Sequence, residues 1–88
     1  MPTVSAFRGV KMQLFWDEHP PPHFHVLHGD GDCSLVIATL EVVEGELPPR
    51  ILAMVRAWAR QHRAELLEGW TRCRELLTPA KISPPPKR

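Results

Sequence analysis

The sequence predicts an α+β domain, a small antiparallel β-sheet of three to five strands in the N-terminal half packed by two C-terminal α-helices. Three observations predict it. Apolar and polar residues alternate as far as Gly45, and after Leu47 the repeat lengthens to the ~3.6-residue period of a helix. The chain has 88 residues, room for one domain, since independently folding domains usually run from about 50 to 250 residues. A chain this short buries only about 60–65 % of the surface its unfolded form exposes, so active groups belong on a surface or in a groove. Its 43 % hydrophobic and 24 % charged content is that of a globular protein and excludes disorder over most of the chain.

The strands come first. From Val10 to Trp16 the even positions are apolar and the odd ones largely polar, with Phe15 the exception. From His23 to His28, Phe24 and Val26 share one face while His23 and His25 share the other. Gly29-Asp30-Gly31-Asp32 tolerates positive φ and should turn the chain into a strand over Cys33–Thr39. Glu41–Glu44 adds a short extension ended by Gly45, and consecutive pairing makes the sheet a meander. Pro48 and Pro49 suit the first turn of a helix, where missing N–H groups have no partner to lose. Ile51, Met54, Val55, Trp58 and His62 then form one apolar stripe, and Leu66, Trp70, Cys73 and Leu77 a second, which predicts two helices bent near His62. Pro79 should end the second helix. The domain therefore spans residues 1–78, and residues 79–88 form a Pro-rich basic tail with little capacity to pack. Trp16, Trp58 and Trp70 are expected as the large members of the core.

The net charge of +1 conceals a division. Residues 1–47 hold two basic against seven acidic side chains, a net −5, and residues 48–88 hold nine against three, a net +6. Such an asymmetry fits attraction between the two halves or an anionic partner for the second. No window of 18 apolar residues occurs, so no membrane partner is expected, and the N-terminus lacks the basic and apolar regions of a secretory signal. Cys33 and Cys73 make neither a disulfide framework nor a CxxC pair, which points to a reducing cytoplasm with both thiols as small buried hydrophobes.

Four of the five histidines lie between residues 19 and 28. On an extended strand His23 and His25 project from one face about 6.5–7 Å apart, close enough to share one metal ion or one phosphate. Pro20, Pro21 and Pro22 stiffen the approach and hold Glu18 and His19 in a fixed direction. Three chemistries suit the set. A divalent metal could be held by His23 and His25 with His19 or Glu18, a nitrogen and oxygen shell that suits zinc, iron or nickel. Acid–base catalysis by His23, His25 and His19, oriented by Glu18, is the second, and with Arg56, Arg60 or Arg63 as an anion contact it would make a phosphodiester-cleaving set. In the third the histidines cap the open face of the sheet and bond locally. His62 continues an apolar stripe and reads as a half-buried structural histidine.

Met1-Pro2-Thr3-Val4-Ser5, Glu18-His19-Pro20-Pro21-Pro22-His23-Phe24-His25-Val26, Gly45-Glu46-Leu47-Pro48 and Trp58-Ala59-Arg60-Gln61-His62-Arg63-Ala64-Glu65-Leu66 together resemble the small bacterial family called domain of unknown function 4160. The most specific part is Glu18, His19, Pro21, Pro22, His23, Phe24 and His25. Ala6 and Arg8 depart from the basic and aromatic residues expected there, and Gly69 stands in place of the usual Asn. The resemblance implies a gene beside that of another small protein, in pairs that look like toxin–antitoxin modules. It therefore implies a small partner protein from a neighbouring gene, with RNA or translation as the target of any toxic activity; self-association into a homo-oligomer is compatible with it. The function expected first is accordingly a protein-interaction component of such a module, with a ribonuclease-like toxin or a metal-binding protein as the alternatives.

Overall fold

The computed structural model describes residues 2–16, 18–29 and 31–85. Strands β1 (Thr3–Phe7), β2 (Val10–Gln13), β3 (His23–His28), β4 (Gly31–Val36) and β5 (Val42–Gly45) form one antiparallel meander in the order β1-β2-β3-β4-β5, followed by helices α1 (Pro49–Gln61) and α2 (Arg63–Arg74). This is the expected α+β fold. No described helix is long and apolar enough to cross a membrane.

Opposed residues of paired strands share a face. Met12 lies opposite Val26 and Val26 opposite Cys33, while Phe24 lies opposite Leu35, and these side chains with Val10, Leu14 and Ile37 make the sheet's half of the core. Val55, Trp58, Ala59, Leu66, Trp70 and Cys73 cover them from the helices, the Trp58 ring meeting Phe24 edge-on at 6.1 Å. The opposite face carries a second row, Gln13, His25, Ser34 and Glu44, one residue from each of β2 to β5 in register.

Several boundaries differ from expectation. β1 is an additional strand: polar and apolar residues alternate only over Thr3–Ala6, a short run, and at a bulge it buries the adjacent Val4 and Ser5. β2 stops at Gln13 rather than Trp16, and Trp16 is 40 % exposed instead of a core residue, because the chain leaves the sheet after Leu14 donates to the Pro2 carbonyl. β4 ends at Val36 rather than Thr39, because the Val36 carbonyl accepts the Leu40 N–H at 2.7 Å and closes a turn over Ile37, Ala38 and Thr39. Of the expected hairpin turn, Gly31 and Asp32 belong to β4, paired with His28 and Leu27, and Asp30 lies outside the described residues.

The helices begin after Pro48 and break at His62 as expected. α2 ends five residues before Pro79, however, in two bonds that define a Schellman motif: Leu76 N–H to the Cys73 carbonyl and Leu77 N–H to the Arg72 carbonyl. Leu77, expected on the apolar stripe, is thereby exposed. Gly69 is buried where α2 crosses the sheet, and a Cβ there would stand 2.6 Å from Leu14 Cδ1.

The segment after Pro79 packs, contrary to expectation. Ile82 is 4 % exposed within the core, its N–H donates to the Val4 carbonyl, and Trp58 Nε1 donates to the Ser83 carbonyl. Prolines stiffen this segment and lower the entropy lost when it packs, which offsets its lack of internal hydrogen bonds. Lys87 and Arg88 lie outside the described residues.

Candidate metal centre

β3 sends alternate side chains to opposite faces, so the positions that bury Phe24 and Val26 necessarily turn His23 and His25 outward. The segment from Leu14 to Pro22 crosses this outer face, its Pro20–Pro21 bond cis, and brings Glu18 over the strand. Glu18 Oε1 lies 2.7 Å from His25 Nε2 and 3.0 Å from His23 Nε2, with all three side chains partly buried. One donor atom from each of the three lies within 4.8 Å of the others.

The remaining ring nitrogens are engaged as well. His23 Nδ1 lies 2.8 Å from the Pro21 carbonyl oxygen, and His25 Nδ1 lies 3.1 Å from Ser34 Oγ. A carbonyl oxygen only accepts, so His23 Nδ1 must carry the proton. In a neutral His23 ring, Nε2 then presents a lone pair to the Glu18 carboxylate, and a cation between them, either a second proton or a metal ion, makes that contact attractive. Phe15 stacks on His25 with centroids 3.9 Å apart and planes at 16°, while Trp70 lies 5.0 Å from the His23 ring. The Arg74 guanidinium donates to the Glu18 carbonyl at 3.2 Å, tying the crossing segment to α2.

The structure thus brings Glu18, His23 and His25 together. His19 is exposed and lines the rim of the same groove, a cavity of about 250 Å³, with Val43 and Glu44. His28 lies on the helix face, opposite Val10, away from the other histidines. His62 pairs with Glu65 beside Trp58, as a structural histidine does. Arg56 donates through Nε to the Leu40 carbonyl and Arg63 to the Ile37 carbonyl; neither they nor exposed Arg60 line the groove. Cys33 belongs to an adjoining cavity, where burial pushes its thiol pKa up and keeps it from thiolate chemistry.

Four contributors escaped sequence reasoning: Phe15, Ser34, Trp70 and Arg74. Phe15 left a trace, since it is the residue that breaks the alternation of its segment. Ser34 and Trp70 reach the histidines across the sheet and from α2, and Arg74 reaches the Glu18 carbonyl, contacts set by tertiary packing alone.

No curated protein and no solved structure matches this chain. Residues 9–71 match the family described as Domain of unknown function (DUF4160), a span that contains Glu18, His23, His25 and Ser34 and most of both helices. The chain belongs to that family.

Proposed function

We propose that this domain binds a divalent transition metal through Glu18, His23 and His25. The observation that carries the reading is the convergence of both Nε2 atoms on one carboxylate oxygen while both Nδ1 atoms contact oxygens of the protein. This is how metal-ligating histidines are held, the outer N–H donating to a carbonyl or hydroxyl so that the inner nitrogen keeps its lone pair. Donor atoms around an ion at ~2.1 Å stand ~3.0–3.4 Å apart, so small outward shifts of Glu18 admit it. Two imidazoles and a carboxylate suit zinc, iron or nickel, and three protein donors leave positions for water on the groove side. A metal there would supply Lewis acidity and an activated water; Glu44 and His19 at the rim are placed to meet what enters.

Untagged protein titrated calorimetrically with zinc, nickel and ferrous ions tests the proposal. One ion should bind per chain, and Glu18→Gln or His25→Ala should weaken it at least about a hundredfold, more than the 10–100-fold typical of outer-shell partners. Substoichiometric metal in the wild-type protein, or equal affinity in the variants, would overturn it.

A second proposal concerns a partner. Val43 is 64 % exposed on the unpaired edge of β5, among Glu41, Glu44 and Glu46, and this supports docking of a small protein that presents an apolar, basic strand. Such a partner is what a two-gene toxin–antitoxin-like module would supply. Co-expression with the neighbouring gene product should yield a complex that Val43→Lys disrupts.

A further inference from the structure

His28 points to the other side of the sheet from His25, and its neighbours there differ in kind. The β1–β2 turn, the end of β3 and the first turn of α1 enclose an open cavity of about 410 Å³, a volume in the range of small-ligand sites. Arg8, His28 and Arg50 line it, together with Phe7, Ile51 and Met54, and no carboxylate does among the described residues. Arg56, Arg63 and Arg74 donate to backbone carbonyls and Arg72 pairs with Glu68, whereas no described hydrogen bond or ion pair engages Arg8 or Arg50. The first turn of α1 adds to the positive field, having neither a side-chain cap nor an acidic residue.

Arg8 is itself held in an unusual way. It occupies the first position of the two-residue Arg8-Gly9 turn with φ +49°, where Asn, Asp or Gly is normal, and its guanidinium lies 5.4 Å from the centroid of the Phe7 ring. A bulky side chain in that conformation is strained, because its Cβ crowds the following carbonyl oxygen. The cost is offset if the guanidinium has a task at the cavity, and backbone outliers of this kind gather at ligand sites.

We propose that this cavity binds a nucleoside monophosphate, free or as the 5′ end of an RNA. Arg8, Arg50 and His28 receive the phosphate, and the flat base lies against Phe7, Ile51 and Met54. The basic side chains account for an anion, and the apolar wall of Phe7, Ile51 and Met54 offers a surface to a base, which inorganic phosphate lacks. The site is separate from the Glu18–His23–His25 centre and does not rest on metal binding there.

Titration of isotopically labelled protein with AMP and UMP, with inorganic phosphate, and with a 5′-phosphorylated RNA oligonucleotide tests the proposal by amide shifts. The nucleotides should shift Arg8, His28 and Arg50 resonances, weaken with added salt, and bind more tightly than phosphate alone. Arg50→Gln should reduce affinity about tenfold, as loss of one charge-assisted hydrogen bond does. Arg8→Gly is the sharper variant: it should raise the melting temperature by relieving the turn while reducing nucleotide affinity by about the same factor. His25→Ala should leave nucleotide binding unchanged. An oligonucleotide that binds more tightly than the mononucleotides identifies RNA as the source, and one that binds no better identifies the free nucleotide. Absence of shifts at these residues, equal affinity for inorganic phosphate, or undiminished binding by Arg8→Gly would overturn the proposal.

Discussion

At Gly45 a methyl group would stand 2.1 Å from the Asp32 carbonyl oxygen and 3.1 Å from the Cys33 Cα, on a backbone with φ +77°. Both obstacles are main chain of β4, so neither can swing aside. Gly45→Ala should therefore cost about 2–3 kcal/mol, read by urea denaturation, and an unchanged midpoint would show that β5 is not held in this register. The sequence marked this glycine as the end of a strand, without its close approach to β4. The same limit applies to the site. His23, His25 and Glu18 were legible because strand period and proline stiffness are local properties, but the Ser34 hydroxyl reaches His25 only through the β3–β4 register. Arg56 and Arg63 were misleading for a related reason, since their spacing on a helix says nothing about which carbonyls they will meet.

Among the elements, β3 and α1 were the most legible, because each has a clean period and a clear punctuation of Pro or Gly at an end. α2 was not, and its C-terminus shows why. A Schellman motif calls for a left-handed residue, usually Gly, and here Leu76 takes that place with φ +60° while 70 % exposed. Leu77, in step with the apolar stripe, suggested that the helix continued to Pro79. Leu76→Gly should stabilise the domain by about 0.5–1 kcal/mol, because it relieves the backbone and uncovers nothing. Thermal unfolding checks this, and a lower midpoint would mean that Leu76 makes a contact beyond its own turn. β1 escaped notice because it is short and a bulge makes its buried residues, Val4 and Ser5, neighbours rather than alternates.

For the molecule as a whole, the division into an acidic and a basic half has an unexpected resolution. Among the described residues no Lys or Arg of the second half pairs with a carboxylate of the first. Arg56, Arg63, Arg74 and Lys81 instead donate to the Leu40, Ile37, Glu18 and Thr3 carbonyls, so the halves are joined by charge–dipole bonds at the ends of strands and in loops. Composition shows the imbalance and cannot show that backbone oxygens answer it. The segment after Pro79 completes the join, and Ile82→Ala should cost about 2–4 kcal/mol, the usual result of emptying a core position. A change below about 0.5 kcal/mol would place Ile82 outside the cooperative unit.

The bond from Ile82 to the Val4 carbonyl, and that from Lys81 to Thr3 beside it, span 78 residues of chain in each case. On the ribosome β1 is made before the other described elements, yet Lys81 and Ile82, which donate to its Thr3 and Val4 carbonyls, are translated after both helices. Until then the Thr3 and Val4 carbonyls lack these donors, and the segment after α2, rather than the sheet itself, supplies them.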